Sequence, residues 1–179
     1  MEVKKIICII QARSASSRLP NKVLLQINKN SILDIVIKRL KKSKKVDQII
    51  VSTTKNKSDD KIVDIAKLNN ADFYRGDNKN VLKRFYNTAR NFKADTVIRI
   101  TADCPFVDYR ILDLMIDFYK KNNYEYISNA IKPTYPDGLD IAIFSYKILQ
   151  KANLLARDQY DKEHVTSIMR SKNFCNFYN

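Results

Sequence analysis

The fold is decided by Val3-Lys4-Lys5-Ile6-Ile7-Cys8-Ile9-Ile10 and the stretch it runs into, Gln11-Ala12-Arg13-Ser14-Ala15-Ser16-Ser17-Arg18-Leu19-Pro20-Asn21-Lys22. The apolar run is far too short to span a membrane and lacks the small-residue cleavage site of a secretory leader. It reads as a first strand buried in a sheet. The next dozen residues carry Arg13, Arg18, Lys22 and three serines, with no acid among them. A polyphosphate calls for that set: guanidinium forks for oxygen pairs, hydroxyls for single oxygens, a lysine as a point charge. Backbone N–H groups in such a turn add an anion nest.

Moving outward, short apolar runs alternate with amphipathic stretches. Strands are predicted at residues 3–10, 47–53, 72–74, 96–100, 124–128 and 139–144. Helices are predicted at 32–42 with Ser31 as cap, from Ser58-Asp59-Asp60 to about 68, at 79–92, from the cap Asp108 to about 120, at 146–155 and at 164–170. The alternation gives the fold class: α/β, a mostly parallel sheet with helices on both faces. In such folds ligands sit beyond the carboxyl ends of the strands. Residues 1–170 are expected to form one domain, with 171–179 as a tail.

Composition narrows the function. Of 179 residues, 33 are Lys or Arg and 19 Asp or Glu, a formal charge of +14. Such a chain suits anionic partners. The densest run, Lys38-Arg39-Leu40-Lys41-Lys42-Ser43-Lys44-Lys45, falls at a predicted helix end, where cations are favoured anyway. No tryptophan is present and aromatics do not interleave with basic residues, so no specific nucleic-acid partner is expected. Cys8, Cys104 and Cys175 show no metal spacing and suit a reducing, cytoplasmic compartment. No apolar run is long enough for a membrane span. Gly76 and Gly138 are the only glycines, where about a dozen are expected at roughly 7%. No glycine-rich phosphate loop can therefore be written.

A second constellation is Arg99-Ile100-Thr101-Ala102-Asp103-Cys104-Pro105. Asp103 follows a strand and would lie opposite the cationic loop. Mg²⁺ is held by one or two carboxylates plus phosphate oxygens, so Asp103 is a candidate ligand. A third is Thr134-Tyr135-Pro136-Asp137-Gly138-Leu139-Asp140, which contains a strong turn signal.

The loop from Ala12 to Lys22 closely resembles the nucleotide-binding signature of sugar cytidylyltransferases, the spore-coat polysaccharide F branch above all. That branch also shares landmarks resembling Val51-Ser52-Thr53-Thr54, Tyr74-Arg75-Gly76-Asp77, the segment around Asp103, Ser128-Asn129, the segment from Tyr135 to Asp140 and Glu163-His164-Val165-Thr166. The resemblance implies a nucleotide-diphospho-sugar transferase fold, Rossmann-like. It implies that CMP passes from CTP to a sugar, an acidic 2-keto-3-deoxy sugar or a sugar phosphate, with release of pyrophosphate, for surface polysaccharide synthesis.

By that resemblance Ala12, Arg13, Ser16, Ser17, Arg18, Lys22 and Gly76 bind the nucleotide, and Arg13, Lys22 and Asp103 carry catalysis. Tyr135, Asp137, Asp140 and His164 face the sugar. Mg²⁺ is the cofactor, with Asp103 and Asp140 as its ligands. Relatives are commonly dimers, so the resemblance admits a homodimer. Relatives also continue past the position of Asn179 with an acidic segment that adds a metal ligand. Either Asp140 substitutes, another subunit helps, or activity is impaired. Two rivals stay open: a non-catalytic nucleotide-binding module, and a nucleotidyltransferase using another nucleotide and a sugar 1-phosphate.

Overall fold

The computed structural model describes residues 4–15, 19–133 and 135–179. Its strands are β1 (Ile6–Gln11), β2 (Gln26–Ile27), β3 (Asn30–Ser31), β4 (Gln48–Thr54), β5 (Asp72–Gly76), β6 (Thr96–Thr101), β7 (Tyr126–Ser128), β8 (Ala142–Ser145) and β9 (Phe177–Tyr178). Its helices are α1 (Ile32–Leu40), α2 (Asp60–Leu68), α3 (Val81–Asn91), α4 (Tyr109–Lys121), α5 (Tyr146–Leu155) and α6 (Gln159–His164).

The main sheet has seven strands in the order β5-β4-β1-β6-β8-β7-β9. Only β8 runs against the others. β1 is central, which explains its unbroken apolar run. Side chains alternate across a strand, so Ile6, Cys8 and Ile10 join one core and Ile7 and Ile9 the other. The first core packs under α1, α2 and α4, through Leu33, Val36, Ile62, Ala66, Leu112 and Ile116. The second packs under α3 and α5, through Leu82, Phe85, Ile148 and Leu149. The α/β class read from the sequence is the class observed.

Chain order reverses beside β1. From β1 the chain moves to β4 and β5, then returns through α3 to β6 on the other side. The loops after β1 and β6 therefore leave the sheet side by side at a switch point. Gln11 C=O accepts from Ala102 N–H at 3.0 Å, tying the two exits together.

Local capping follows the sequence at several helices. Ser31 Oγ accepts from Asp34 N–H at 3.1 Å, and an Asp108 carboxylate oxygen accepts from Arg110 N–H at 2.8 Å. The basic run at the end of α1 is partly employed: Arg39 donates to the carbonyls of Val107 and Phe106, bracing the loop after β6.

Elsewhere the structure differs from expectation. Ser58 does not cap α2; residues Lys57–Asp59 form a short 3-10 turn and the Asp59 carboxylate points into the protein. The predicted helix at 164–170 is instead α6 followed by a break at Val165, with φ 55°, and a 3-10 turn at Ile168–Arg170. The break lets Val165 become fully buried. β2 and β3 form a hairpin not foreseen, turned by Asn28 and Lys29 with φ of 47° and 69°. Residues 171–179 end in β9, which pairs with β7.

Candidate active site

The loop after β1 is built from its two ends. Ala12 is buried and donates its N–H to Ser52 C=O at 3.1 Å. Asn21 takes a left-handed φ of 59° and donates its N–H to Ser14 C=O at 2.8 Å, closing the loop. Asparagine is one of the few residues besides glycine that visits this conformation readily. Ser16, Ser17 and Arg18, expected to bind the nucleotide, lie outside the described residues.

Asp59 anchors the loop from below. One carboxylate oxygen accepts from Ser14 N–H at 2.8 Å and Ser14 Oγ at 2.6 Å. The other accepts from Thr53 Oγ1 at 3.0 Å, from Thr54 N–H at 3.2 Å and from Thr54 Oγ1. Burial pushes the Asp59 carboxyl up, but the bonds from Ser14, Thr54 and Thr53 outweigh it and hold it below the usual range. Sequence reading missed this residue. Its neighbours in sequence suggested a helix start, and the loop residue it anchors, Ser14, is 45 residues away.

The two sequence-predicted residues that the structure joins most directly are Lys22 and Asp103. The Lys22 ammonium forms an ion pair with the Asp103 carboxylate across the switch point. Burial pushes Asp103 up; the bond and charge of Lys22, with help from Thr101, bring it below the usual range. Arg13 pairs at 3.3 Å with Glu163, at the end of α6.

Gly76 closes β5 and is buried. It does not take a positive φ. A Cβ there would stand 2.8 Å from Cγ of Arg84 and 3.0 Å from Cε1 of Tyr74. Arg84 is itself fully buried and donates from Nη1 to Asp77 C=O at 2.6 Å. Burial pulls its pKa down to about 10, with the charge of Arg13 adding to the effect.

The residues expected to face the sugar divide into two groups. Asp140 and His164 line one cavity of about 240 Å³, with Arg99, Thr101, Ser128 and Arg170. Tyr135 and Asp137 stand on the exposed turn closed by Gly138 at φ 92°, outside that lining. Burial, then the charges of Asp137 and Asp103, push Asp140 up, against the pull of Arg99. His164 packs against Tyr160 in a tilted arrangement, with ring centroids 4.4 Å apart. Burial raises the Cys104 thiol, which makes it a poor nucleophile.

No three carboxylate, histidine or cysteine groups converge as a metal cage among the described residues. A metal held here would rest on Asp103 and Asp140 and take its other ligands from phosphate and water, the manner favoured by Mg²⁺. The charge of Asp103 is among the causes that raise the Asp140 carboxyl, so the two acids stand near one another.

The family description Cytidylyltransferase matches residues 7–176. The chain belongs to the cytidylyltransferase family. It is 43% identical over 164 residues to the uncharacterized protein MJ1063 of Methanocaldococcus jannaschii, covering 90% of this chain and 65% of that one. It is 34% identical over 174 residues to the spore coat polysaccharide biosynthesis protein SpsF of Bacillus subtilis, covering 93% and 70%. A cytidylyltransferase structure from Leptospira borgpetersenii superposes with a TM-score of 0.90 at 36% identity, covering 92% of this chain and 70% of that one. The chain thus spans about two thirds of the length of the relatives it matches. As a cytidylyltransferase-family chain, it places the loop after β1 and the acid after β6 at the carboxyl ends of adjacent parallel strands. No helix among the described residues is long and apolar enough to cross a membrane.

Proposed function

We propose that this chain transfers CMP from CTP to a sugar hydroxyl, releasing pyrophosphate, in the synthesis of a surface polysaccharide. The observation that carries the reading is the Lys22–Asp103 contact. A cationic loop and a carboxylate at adjacent strand ends are what an in-line displacement at an α-phosphorus needs. Such a reaction depends on alignment and charge neutralisation rather than on a protein nucleophile.

In this reading Arg13 and Lys22, with Ser16, Ser17 and Arg18, hold the triphosphate. Ala12 and Gly76 flank the base and ribose. Arg13 and Lys22 stabilise negative charge on the departing pyrophosphate. Mg²⁺ held by Asp103, with Asp140 as second ligand, would neutralise the α-phosphate oxygens. Tyr135, Asp137, Asp140 and His164 are assigned to the acceptor side. Free cysteines favour a reducing compartment, and we assign the chain to the cytoplasm. Family resemblance supports a homodimer.

The test is pyrophosphate release with CTP, and with the other nucleoside triphosphates, across a panel of sugar acids and sugar phosphates. Turnover confined to CTP supports the proposal. A non-catalytic nucleotide-binding module is the second reading. That reading expects CTP to raise the melting temperature without any pyrophosphate release.

A further inference from the structure

We infer that the cavity lined by Arg99 and Arg170 is an anion subsite, separate from the triphosphate loop, that seats the acid group of the acceptor. The inference rests on the nucleotidyl-transfer reading for the word acceptor; the anion site itself stands on the side chains.

Arg99 is an arginine in the middle of β6, between Ile98 and Ile100, both buried in the first core. Strand alternation turns it to the other face, the face shared by Val97 and Thr101. Among the described residues its guanidinium makes one long hydrogen bond, from Nη2 to Gln11 Oε1 at 3.2 Å, to a neutral acceptor. Among the described residues, its buried Nε has no acceptor. A buried donor without a partner costs about 1–3 kcal/mol, more when the group is charged. Among the described residues no carboxylate lies within ion-pair distance of it.

A second guanidinium enters the same cavity. Arg170 ends the 3-10 turn that follows the break at Val165 and forms no ion pair among the described residues. Two like charges facing one small space repel each other. Burial lowers the pKa of Arg99, and the charge of Arg170 is among the further causes. Thr101, Ser128, Thr166 and His164 also line it. Asp140 is the carboxylate at this cavity, and it leaves the pair with a net positive charge.

Arginine forks match carboxylate and phosphate oxygens in pairs. At about 240 Å³ the cavity is smaller than the ~300–1,000 Å³ of a whole small-molecule pocket, as a subsite should be. Thr101 lines it and Asp103 lies two residues further along, so an acid seated on the arginines leaves the rest of the sugar directed toward the phosphate loop. The ligand chemistry is a carboxylate or a phosphate.

The experiment measures binding by calorimetry, with and without CTP. The probes are a 2-keto-3-deoxy sugar acid, its neutral methyl ester, glucose 1-phosphate and glucose. They are titrated into the wild type, Arg99→Gln and Arg170→Ala. The expected result is that one acidic probe binds the wild type and weakens by roughly tenfold or more in each variant, the loss of a charge-assisted hydrogen bond. Neutral probes bind weakly to all three proteins, and CTP affinity does not change. Whichever acid responds identifies the anion as carboxylate or phosphate. Equal binding of an acid to wild type and variants, equal binding of acid and ester, or no acid binding to the wild type overturns the inference. Arg170 is exposed on a turn, so its variant keeps the test decisive if Arg99→Gln does not fold. Failure of the wild type to bind CTP defeats the nucleotidyl-transfer reading instead, and the acid arms without CTP still decide the anion site.

Discussion

Lys22, from the loop after β1, holds its ammonium against the carboxylate of Asp103, from the loop after β6. The contact joins the charge we assign to phosphate and the charge we assign to a cation. Each side chain is partly exposed, so a triphosphate can reach both. Lys22→Ala and Asp103→Ala should each lower pyrophosphate release by about 100-fold or more, as when a transition-state contact is removed. Because the two groups touch, the double variant should lose far less than the product of the single losses. Chelation of divalent cations should abolish turnover of the wild type. Near-normal rates in either single variant would dismiss the assignment.

Asp59 should matter to stability and to the loop at once. Asp59→Asn puts an amide N–H₂ where Ser14 or the threonines donate, so donors would face donors. A loss of about 3 kcal/mol in urea unfolding is expected for breaking this buried network. CTP should also bind more weakly, because Ser14 N–H and Oγ lose the acceptor that fixes the loop. The pH dependence has a definite sign. The folded-state pKa of Asp59 is depressed below its ordinary value of 3.8. Its contribution is therefore complete above that value and is lost as pH falls through the lower folded-state pKa. Wild type should lose stability on acidification below about pH 4 more steeply than Asp59→Asn. Parallel slopes in urea titrations across that range would rule this out.

Gly76→Ala should act through Arg84. The new Cβ would stand 2.8 Å from Cγ, near the root of a fully buried side chain with little room to yield. Overpacking of this kind costs about 1–3 kcal/mol. In an Arg84→Ala background, which removes the nearest atom, the same substitution should cost less. Thermal melts of the four proteins decide the point. CTP affinity measured beside them separates a role at the base from packing on Arg84: an unchanged affinity would leave packing as the whole reason for the glycine.

What the sequence displayed and what it hid differ in range. The strand β1 and the caps Ser31 and Asp108 depend on local pattern, and each was readable. The placement of Lys22 near Asp103 was readable too, because both follow strands that an α/β topology brings together. Asp59 was not, since a carboxylate at a helix start looks like a dipole partner unless the loop of Ser14 is known to lie over it. Gly76 is assigned to the nucleotide by resemblance alone, yet the space a Cβ would take is filled by Arg84 from the next helix. Arg99 did leave a signal: a lone charge between Ile98 and Ile100 contradicts a buried strand and asks for a partner.

Arg13 offers the last test. Its guanidinium is engaged with Glu163 at 3.3 Å, so in the proposed reaction a triphosphate would compete with a carboxylate for the same fork. Both side chains are about a third to a half exposed, at 34% and 46%, and a pair of that kind is worth at most about 1 kcal/mol. Glu163→Gln removes the competing charge and leaves a neutral acceptor of the same shape. CTP should then bind up to about fivefold more tightly at low salt. The gain should shrink as salt rises, because salt screens the exposed pair in the wild type. Weaker binding in Glu163→Gln would mean instead that Glu163 holds Arg13 in its working orientation, and titration of both proteins with CTP at two ionic strengths distinguishes the outcomes.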